Sequence, residues 1–281
     1  MLSYRHAYHA GNHADVLKHL VLVAIARHLG QKPAPFWIVD THAGAGRYAL
    51  ESEHARKLGE WREGIGRLWS LHDLPAPLAD YVELVRKLNP DGQLRHYPGS
   101  PWLARELLRE GDRLRLFEMH STDLRLLQEC FSGAGRAVSV SGGDGFAGLK
   151  AILPPPPRRG LVLMDPSYET RADYAAVPRA LQDSLKRFAT GTYAVWYPLL
   201  AKPEARQLPE RLKGAGAAEW LNVTLEVRAP TRDGFGMHGS GMFVINPPWT
   251  LEKALHETLP SLAGLLAQGD GARWNLESQS A

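Results

Sequence analysis

The segment LVLMDPSYET places a carboxylate, a proline and an aromatic ring directly after a run of apolar residues. Asp-Pro and Pro-Ser pairs are common in turns, so an ordinary turn after a buried strand is one interpretation. The alternative is a site for a flat group that carries an amine. The Asp165 carboxylate and the Pro166 carbonyl would both accept hydrogen bonds from the amine, and Tyr168 would stack on the ring. Such a site would position a weak, neutral nucleophile for group transfer.

A second motif, DTHAGAGRY, follows the predicted strand 36–40. Gly44 and Gly46 would allow the backbone to turn tightly and to approach a ligand closely. A dinucleotide site would want a third glycine, and Tyr48 or Ala49 stands at that position. The loop therefore indicates either an ordinary turn or a ligand without a pyrophosphate.

Two further acidic residues follow the next two predicted strands. Glu118 ends RLRLFE, where a carboxylate can accept hydrogen bonds from ribose hydroxyls. Asp144, in SGGDGF, or the backbone beside it could bind the edge of an adenine, although Asp also favours Gly-rich turns. Polar groups thus close four successive strands, which predicts one shared site at the carboxyl edge of a parallel sheet.

Alternating strands and helices must position these groups. Seven apolar-rich segments are predicted to be strands: 36–40, 113–118, 136–140, 161–165, 192–197, 218–228 and 241–246. Helical patterns cover 13–29, 100–110, 121–131, 145–153, 172–188 and 203–213. The alternation predicts an α/β fold with a parallel sheet and helices on both faces. The last two strands lack a helix between them and should form an antiparallel hairpin.

Three local expectations complete this outline. Residues 49–98 contain helical spacing and no strand-like run, so they are predicted to be a small helical subdomain inserted into a core of residues 1–48 and 99–281. Ser100 is predicted to cap the helix that follows it, with Pro101 at the first helical position. The polar tail after Leu266 is expected to be loose.

Composition excludes some classes of protein. The chain has 281 residues, a net charge of +3 and one cysteine, Cys130, so no internal disulfide can form and a reducing cytoplasm is favoured. No signal peptide or membrane-spanning apolar run is evident. The N-terminal histidines could suggest a metal, but no cysteine lies near them, and solvated or capping roles are favoured for His9 and His13.

Five motifs carry a family resemblance: MLSYRHAYHAGNHADVLKH, DTHAGAGRY, YPGSP, DGF and DPSY. In this order they resemble the RlmJ family, bacterial 23S ribosomal RNA adenine-N6 methyltransferases that use S-adenosylmethionine. The resemblance covers nearly the whole chain, and the N-terminal block is its most specific part. It implies a Rossmann-like class I methyltransferase with a seven-stranded, mostly parallel sheet, an antiparallel last strand and an inserted helical subdomain. The sequence departs from the family at Ser167, where the family has proline.

The resemblance also implies roles for individual residues. The catalytic group would comprise Asp165, as its central member, Pro166, Tyr168, Lys18 and His6. The cofactor, released as S-adenosylhomocysteine, would contact Lys18, His19, His42, Gly44, Gly46, Ser100, Glu118, Asp144, Gly145 and Asp165. The target adenosine would lie near Tyr4, His6 and Tyr168, with residues 1–12 on the substrate side. A cytoplasmic monomer acting on 23S ribosomal RNA, without a metal, is expected.

Two other functions remain open at this stage. A DNA adenine-N6 methyltransferase would use the same amine chemistry, although no helix-turn-helix reader is evident. A non-catalytic RNA-binding relative would retain the fold without the reaction. Phosphate contacts are assigned to either of two basic groups, Arg56, Lys57 and Arg62 or Arg228 and Arg232. VINPPW, near the end of the chain, is interpreted as a structural strand exit.

Overall fold

The computed structural model describes residues 5–231 and 233–280, so Tyr4 and Arg232 lie outside the described residues. Ten strands occur in this part of the chain. In chain order they are β1 (Trp37–Asp40), β2 (Arg47–Ala49), β3 (His96–Pro98), β4 (Arg113–Glu118), β5 (Val138–Gly142), β6 (Gly160–Met164), β7 (Thr192–Leu199), β8 (Trp220–Glu226), β9 (Gly239–Ile245) and β10 (Arg273–Gln279).

Eight of these strands form one sheet with the order β10-β8-β9-β7-β6-β1-β4-β5. The strands from β7 to β5 in this order pair in parallel. β9 lies antiparallel between β7 and β8, which confirms the predicted hairpin. The α/β class and the mostly parallel sheet are therefore confirmed, but the predicted number of seven strands is wrong because β10 adds an eighth.

Ten α-helices surround the sheet in the described residues, and none of them is long and apolar enough to cross a membrane. They are α1 (His13–Gly30), α2 (Glu53–Leu58), α3 (Ile65–Trp69), α4 (Ala76–Lys87), α5 (Ser100–Leu107), α6 (Ser121–Cys130), α7 (Gly145–Ile152), α8 (Arg171–Arg187), α9 (Pro203–Lys213) and α10 (Trp249–Leu265).

The core has two layers, one on each face of the sheet. β6 shows why: its side chains alternate, and all five of its residues are buried, as expected for a central parallel strand. Leu161 and Leu163 pack in the layer that contains α1, α4, α5 and α10. Val162 and Met164 pack in the opposite layer, with α7, α8 and α9. Covering both faces leaves the carboxyl ends of the parallel strands as the natural place for a ligand.

α1 is buried on nearly all sides, which fits its continuous apolar surface. The Asn12 side chain caps it by accepting hydrogen bonds from the backbone N–H groups of Ala14 and Asp15. Asp15, Lys18 and His19 are nevertheless 2%, 4% and 1% exposed, so three polar side chains lie inside the core. Their spacing puts them on one face of the helix, and that face is turned towards the sheet edge.

The segment predicted as an insertion begins and ends in a short two-stranded ribbon. β2 and β3 pair antiparallel, with Tyr48 opposite Tyr97, and were missed because each has only three residues. α2, α3 and α4 lie between them in the chain, and buried residues of α4 share the layer of α1. The division of the chain into a core and a subdomain remains a prediction.

The tail after Leu266 is ordered, which corrects the expectation that it is loose. β10 pairs with β8 along its whole length, from Arg273 opposite Glu226 to Gln279 opposite Trp220. Trp274 and Leu276 pack against the core. These are the only two apolar residues of β10, so its sequence does not resemble a strand. The other residues are polar because β10 lies at the sheet edge and one of its faces meets solvent.

We expect Leu276→Ala to lower the free energy of unfolding by about 1–2 kcal/mol, since the side chain is half-buried rather than fully buried. The measurement is urea denaturation of the purified protein. Asn275→Ala is the matched control, because Asn275 is exposed on the same strand and its substitution should be nearly neutral. Equal stability of the Leu276 variant and the wild type would contradict the packing of β10.

Candidate active site

A cavity of about 330 Å³ lies at the carboxyl edge of the parallel strands. This volume is within the range of small-molecule pockets. Eleven residues that the sequence proposed for the site line the cavity: His6, Lys18, His19, His42, Gly44, Ser100, Glu118, Gly145, Asp165, Pro166 and Tyr168. Ser167 lines it as well. The fold therefore brings together groups that are far apart in the chain.

Two proposed cofactor residues do not line the cavity. A side chain at Gly46 would meet Leu127 and Cys130, each at 3.2 Å, so this glycine faces α6. The Asp144 carboxylate caps α7 by accepting hydrogen bonds from backbone N–H groups, that of Phe146 at 2.8 Å. The neighbouring Gly145 does line the cavity, and a Cβ there would lie 2.2 Å from the carbonyl oxygen of Thr41. Only glycine fits at that position without a shift of the backbone.

Glu118 joins the glycine loop to the end of β4. Its Oε2 accepts a hydrogen bond from the backbone N–H of Gly44 at 2.8 Å, and its Oε1 accepts one from that of His120 at 2.7 Å. Burial raises the pKa of Glu118, which these two hydrogen bonds partly offset. A carboxylate has about four lone-pair positions, so it can accept further hydrogen bonds from hydroxyls of a ligand.

Lys18 connects α1 to the end of β6. Its Nζ lies 2.5 Å from Asp165 Oδ2 and 2.8 Å from Asp15 Oδ1. Burial alone would lower the pKa of Lys18, but the two carboxylates outweigh it and raise the pKa above its usual value. The lysine is therefore a buried cation between two anions. Among the described residues, Asp165 Oδ1 has no hydrogen-bond partner and is free to accept one from a ligand.

Asp15 is a site residue that the sequence reasoning missed. Its Oδ2 lies 2.9 Å from His6 Nε2 and accepts a hydrogen bond from the backbone N–H of Gly11 at 2.8 Å. Burial alone would raise the pKa of Asp15, but His6 and Lys18 hold it well below its usual value. The signal was a charged pair three residues apart in an otherwise apolar helix.

Asp40, at the end of β1, organises the opposite wall. Its Oδ2 accepts a hydrogen bond from the Ser100 hydroxyl at 2.6 Å, and its Oδ1 accepts one from the backbone N–H of His42 at 3.1 Å. Burial raises the pKa of Asp40 to about 6. Gly99, not Ser100, is the N-cap of α5, so the predicted capping role of Ser100 is wrong. The serine hydroxyl holds Asp40 instead.

The DPSY turn places Asp165 and Pro166 at the cavity, and a contact with β7 fixes the Tyr168 ring. Tyr168 is only 3% exposed, and its hydroxyl donates a hydrogen bond to the carbonyl oxygen of Trp196 at 2.7 Å. Its φ of 53° is the left-handed conformation, which lets the ring turn back onto β7. The ring is thus a fixed wall of the cavity rather than a freely exposed platform.

His19 lies between the cavity and two buried tyrosines. Its Nδ1 is 2.7 Å from the hydroxyl of Tyr97, which is 2.9 Å from the hydroxyl of Tyr81. Its Nε2 is buried and has no hydrogen-bond partner in the described residues. Burial lowers the pKa of His19 to about 3, so the ring is neutral near pH 7.

Two other predictions about polar residues have different outcomes. His13 is 6% exposed, and burial lowers its pKa to about 4, so it is neither solvated nor a cap. His9 Nδ1 lies 3.0 Å from a carboxylate oxygen of Glu60. VINPPW lies away from the cavity: Asn246 Nδ2 donates to the Gly191 carbonyl at 2.7 Å. Its interpretation as a strand exit is confirmed. In residues 5–231 and 233–280, no group of three or more His, Cys, Asp or Glu side chains could hold a metal ion.

The chain is similar to known proteins over most of its length. Residues 33–277 match the family described as ribosomal RNA large subunit methyltransferase D, RlmJ. Proteins named ribosomal RNA large subunit methyltransferase J are similar to the chain over almost its full length. The Escherichia coli protein is 51% identical, with 96% of each chain covered, and the Haemophilus influenzae protein is 49% identical, with 99% of this chain and 98% of the relative covered.

A solved structure has the same fold. The crystal structure of protein LPL1258 from Legionella pneumophila has a TM-score of 0.89 and 33% identity, and the match covers 97% of this chain and 99% of that one. The family match begins after α1, whereas the two relatives and this structure also extend over nearly all of the chain. The chain therefore belongs to the RlmJ family of ribosomal RNA large subunit methyltransferases.

Proposed function

We propose that this protein transfers a methyl group from S-adenosylmethionine to the exocyclic N6 amine of an adenosine in 23S ribosomal RNA. The observation that carries the proposal is the free Oδ1 of Asp165, held at the cavity by the contact of Oδ2 with Lys18. Family membership supplies the class of reaction, and the printed names of the relatives supply the class of RNA.

The chemistry of an adenine amine explains why an acceptor is needed. The N6 lone pair is delocalised into the ring and is a poor nucleophile. Hydrogen bonds from the amine to Asp165 Oδ1 and to the Pro166 carbonyl would orient the lone pair without prior deprotonation. A carboxylate in contact with the amine can also receive the proton that the nitrogen loses after transfer.

In this scheme Lys18 determines which oxygen of the Asp165 carboxylate is left for the substrate. Since the pKa of Lys18 is raised, it stays charged at neutral pH and keeps Asp165 Oδ2 occupied. Only Oδ1 is then left for the substrate. Asp15 shares the same cation and also binds His6, so the N-terminal segment expected on the substrate side is tied to the reacting carboxylate through one buried network.

The cavity fits the proposed cofactor. When bound, S-adenosylmethionine supplies an electrophilic methyl group. Glu118 would accept hydrogen bonds from the ribose hydroxyls, and Gly44, Gly145 and His42 would line the same cavity. The buried, unpartnered Nε2 of His19 provides a polar contact for a ligand. These residues would contact the cofactor, and they border one continuous cavity.

RNA is favoured over DNA as the substrate because both relatives are named for ribosomal RNA. A target base must leave its stack before its N6 can enter a cavity lined by Asp165. The test is transfer of labelled methyl groups to purified 23S ribosomal RNA and to DNA, followed by mass spectrometry of the modified base. N6-methyladenosine in the RNA alone is expected. Modified DNA, or no transfer together with retained RNA binding, would favour one of the alternatives.

We expect Asp165→Ala to reduce methyl transfer by more than about tenfold while leaving the fold intact. The amine acceptor is lost, but Lys18 keeps its contact with Asp15, so no buried charge is left without a partner. The measurements are single-turnover transfer and thermal unfolding. Asp183→Ala, on the exposed side of α8, is the control. Near wild-type transfer by the Asp165 variant would remove this carboxylate from the reaction.

We expect Glu118→Gln to weaken binding of S-adenosylhomocysteine by about tenfold, because charge-assisted hydrogen bonds to the ribose are lost. Calorimetry with the 2′-deoxy analogue makes the test specific. The wild type should prefer the ribose form, whereas the variant should bind both forms alike. Glu129→Gln, on the surface of α6, is the control. A variant that still distinguishes the two ligands would place the ribose elsewhere.

A further inference from the structure

We propose that Tyr97 is a positioning residue that fixes the proton of His19 on Nε2, so that the ring presents an N–H donor to the carboxylate of the bound methyl donor. The proposal deepens the proposed function and rests on it for the identity of the ligand. Tyr97 is the first residue of the YPGSP motif, which also contains Ser100.

Hydrogen bonds connect the three side chains in a line, from Tyr81 through Tyr97 to His19. Tyr81, Tyr97 and His19 are all at most 1% exposed. Tyr97 stacks on the His19 ring, with centroids 5.5 Å apart and an angle of 27° between the planes, so the ring cannot rotate freely. Burial raises the pKa of both tyrosines, and both hydroxyls therefore keep their protons.

Only one arrangement of the protons gives each hydroxyl an acceptor, because in every other arrangement Tyr81 or Tyr97 has none. If Tyr81 donates to Tyr97, then Tyr97 donates to His19 Nδ1, and the single proton of the neutral ring is on Nε2. If His19 instead donated from Nδ1 to Tyr97, then Tyr97 would donate to Tyr81. The Tyr81 proton would then have no acceptor among the described residues. A buried hydroxyl without an acceptor is costly, so the first arrangement is favoured.

This arrangement leaves one unsatisfied donor, and it belongs to a residue that lines the cavity. His19 Nε2 is buried without a partner, and the low pKa of the ring keeps it neutral. A neutral N–H donor selects a hydrogen-bond acceptor. Glu118 is assigned to the ribose of the donor, and the strongest acceptor that remains on that molecule is the carboxylate of its amino-acid portion.

The first experiment reads the tautomer directly. Nitrogen-15 NMR of the histidine-labelled full-length protein distinguishes a proton on Nε2 from a proton on Nδ1, and His19→Gln assigns the signal. We expect the Nε2–H form in the wild type and in Tyr81→Phe, where Tyr97 can still donate to Nδ1. We expect a mixture in Tyr97→Phe. A wild-type ring protonated on Nδ1 would overturn the proposal, whatever ligand the protein binds.

The second experiment measures binding by calorimetry. S-adenosylhomocysteine is compared with 5′-methylthioadenosine, which lacks the amino-acid portion. Tyr97→Phe should weaken binding of the first by about tenfold and leave that of the second unchanged, because only the first offers a carboxylate. Tyr193→Phe is the matched control, since Tyr193 is equally buried but its hydroxyl donates to backbone carbonyls of Ser184 and Phe188.

The outcomes separate this inference from the proposed function. Equal losses for both ligands in Tyr97→Phe would mean a general disturbance of the cavity and would overturn the assignment of the carboxylate. If Tyr97→Phe does not fold, Tyr81→Phe still tests the proposal. A shift of the His19 ring to the Nδ1–H form in that variant would contradict it. Absence of any binding to the wild type would instead refute the proposed function, and the NMR result would stand on its own.

Discussion

The buried ammonium group of Lys18 is the interaction on which the rest of the site depends. It contacts Asp15 on its own helix and Asp165 at the end of β6. A cation in the core is stable only when anions and hydrogen bonds compensate its lost hydration, and removing one partner of a buried pair typically costs about 3–5 kcal/mol. Here two carboxylates share one cation, and both compensate the burial of the Lys18 ammonium group. The same contact fixes the distance between the N-terminal helix and the sheet edge.

The cavity has two walls of different origin. Strand ends supply Glu118 and Asp165, as expected for a parallel α/β sheet, and Asp40 lies behind this wall and holds Ser100. The other wall comes from α1 and from the residues behind it, which reach the cavity through His19. Backbone N–H groups hold Glu118, whereas side chains hold His19 and Lys18.

The sequence predicted the sheet and most of the site because both follow from local patterns. Strand ends with polar residues, such as Asp165, can be read from apolar runs and turn pairs. The motif order also led to His19, Ser100 and Glu118. The features that the sequence did not predict depend on contacts between residues that are far apart in the chain. Strand β10 is polar because it lies at an edge. Asp144 caps α7 and the Ser100 hydroxyl holds Asp40, and both roles depend on the groups that lie beside these residues. Asp15 was missed although its spacing from Lys18 was a signal, because its second partner, His6, becomes apparent only in the structure.

The order of elements along the chain has a consequence for biosynthesis. α1 is made first, yet it packs against β9, one of the last strands, and Lys18 meets an acid 147 residues further on. While the ribosome is still producing the middle of the chain, an apolar helix with two embedded charges has no sheet to cover it. Such surfaces attract chaperones and favour misassembly. A nascent chain of this protein cannot form the contact between Lys18 and Asp165 until β6 and the turn that follows it have been synthesised.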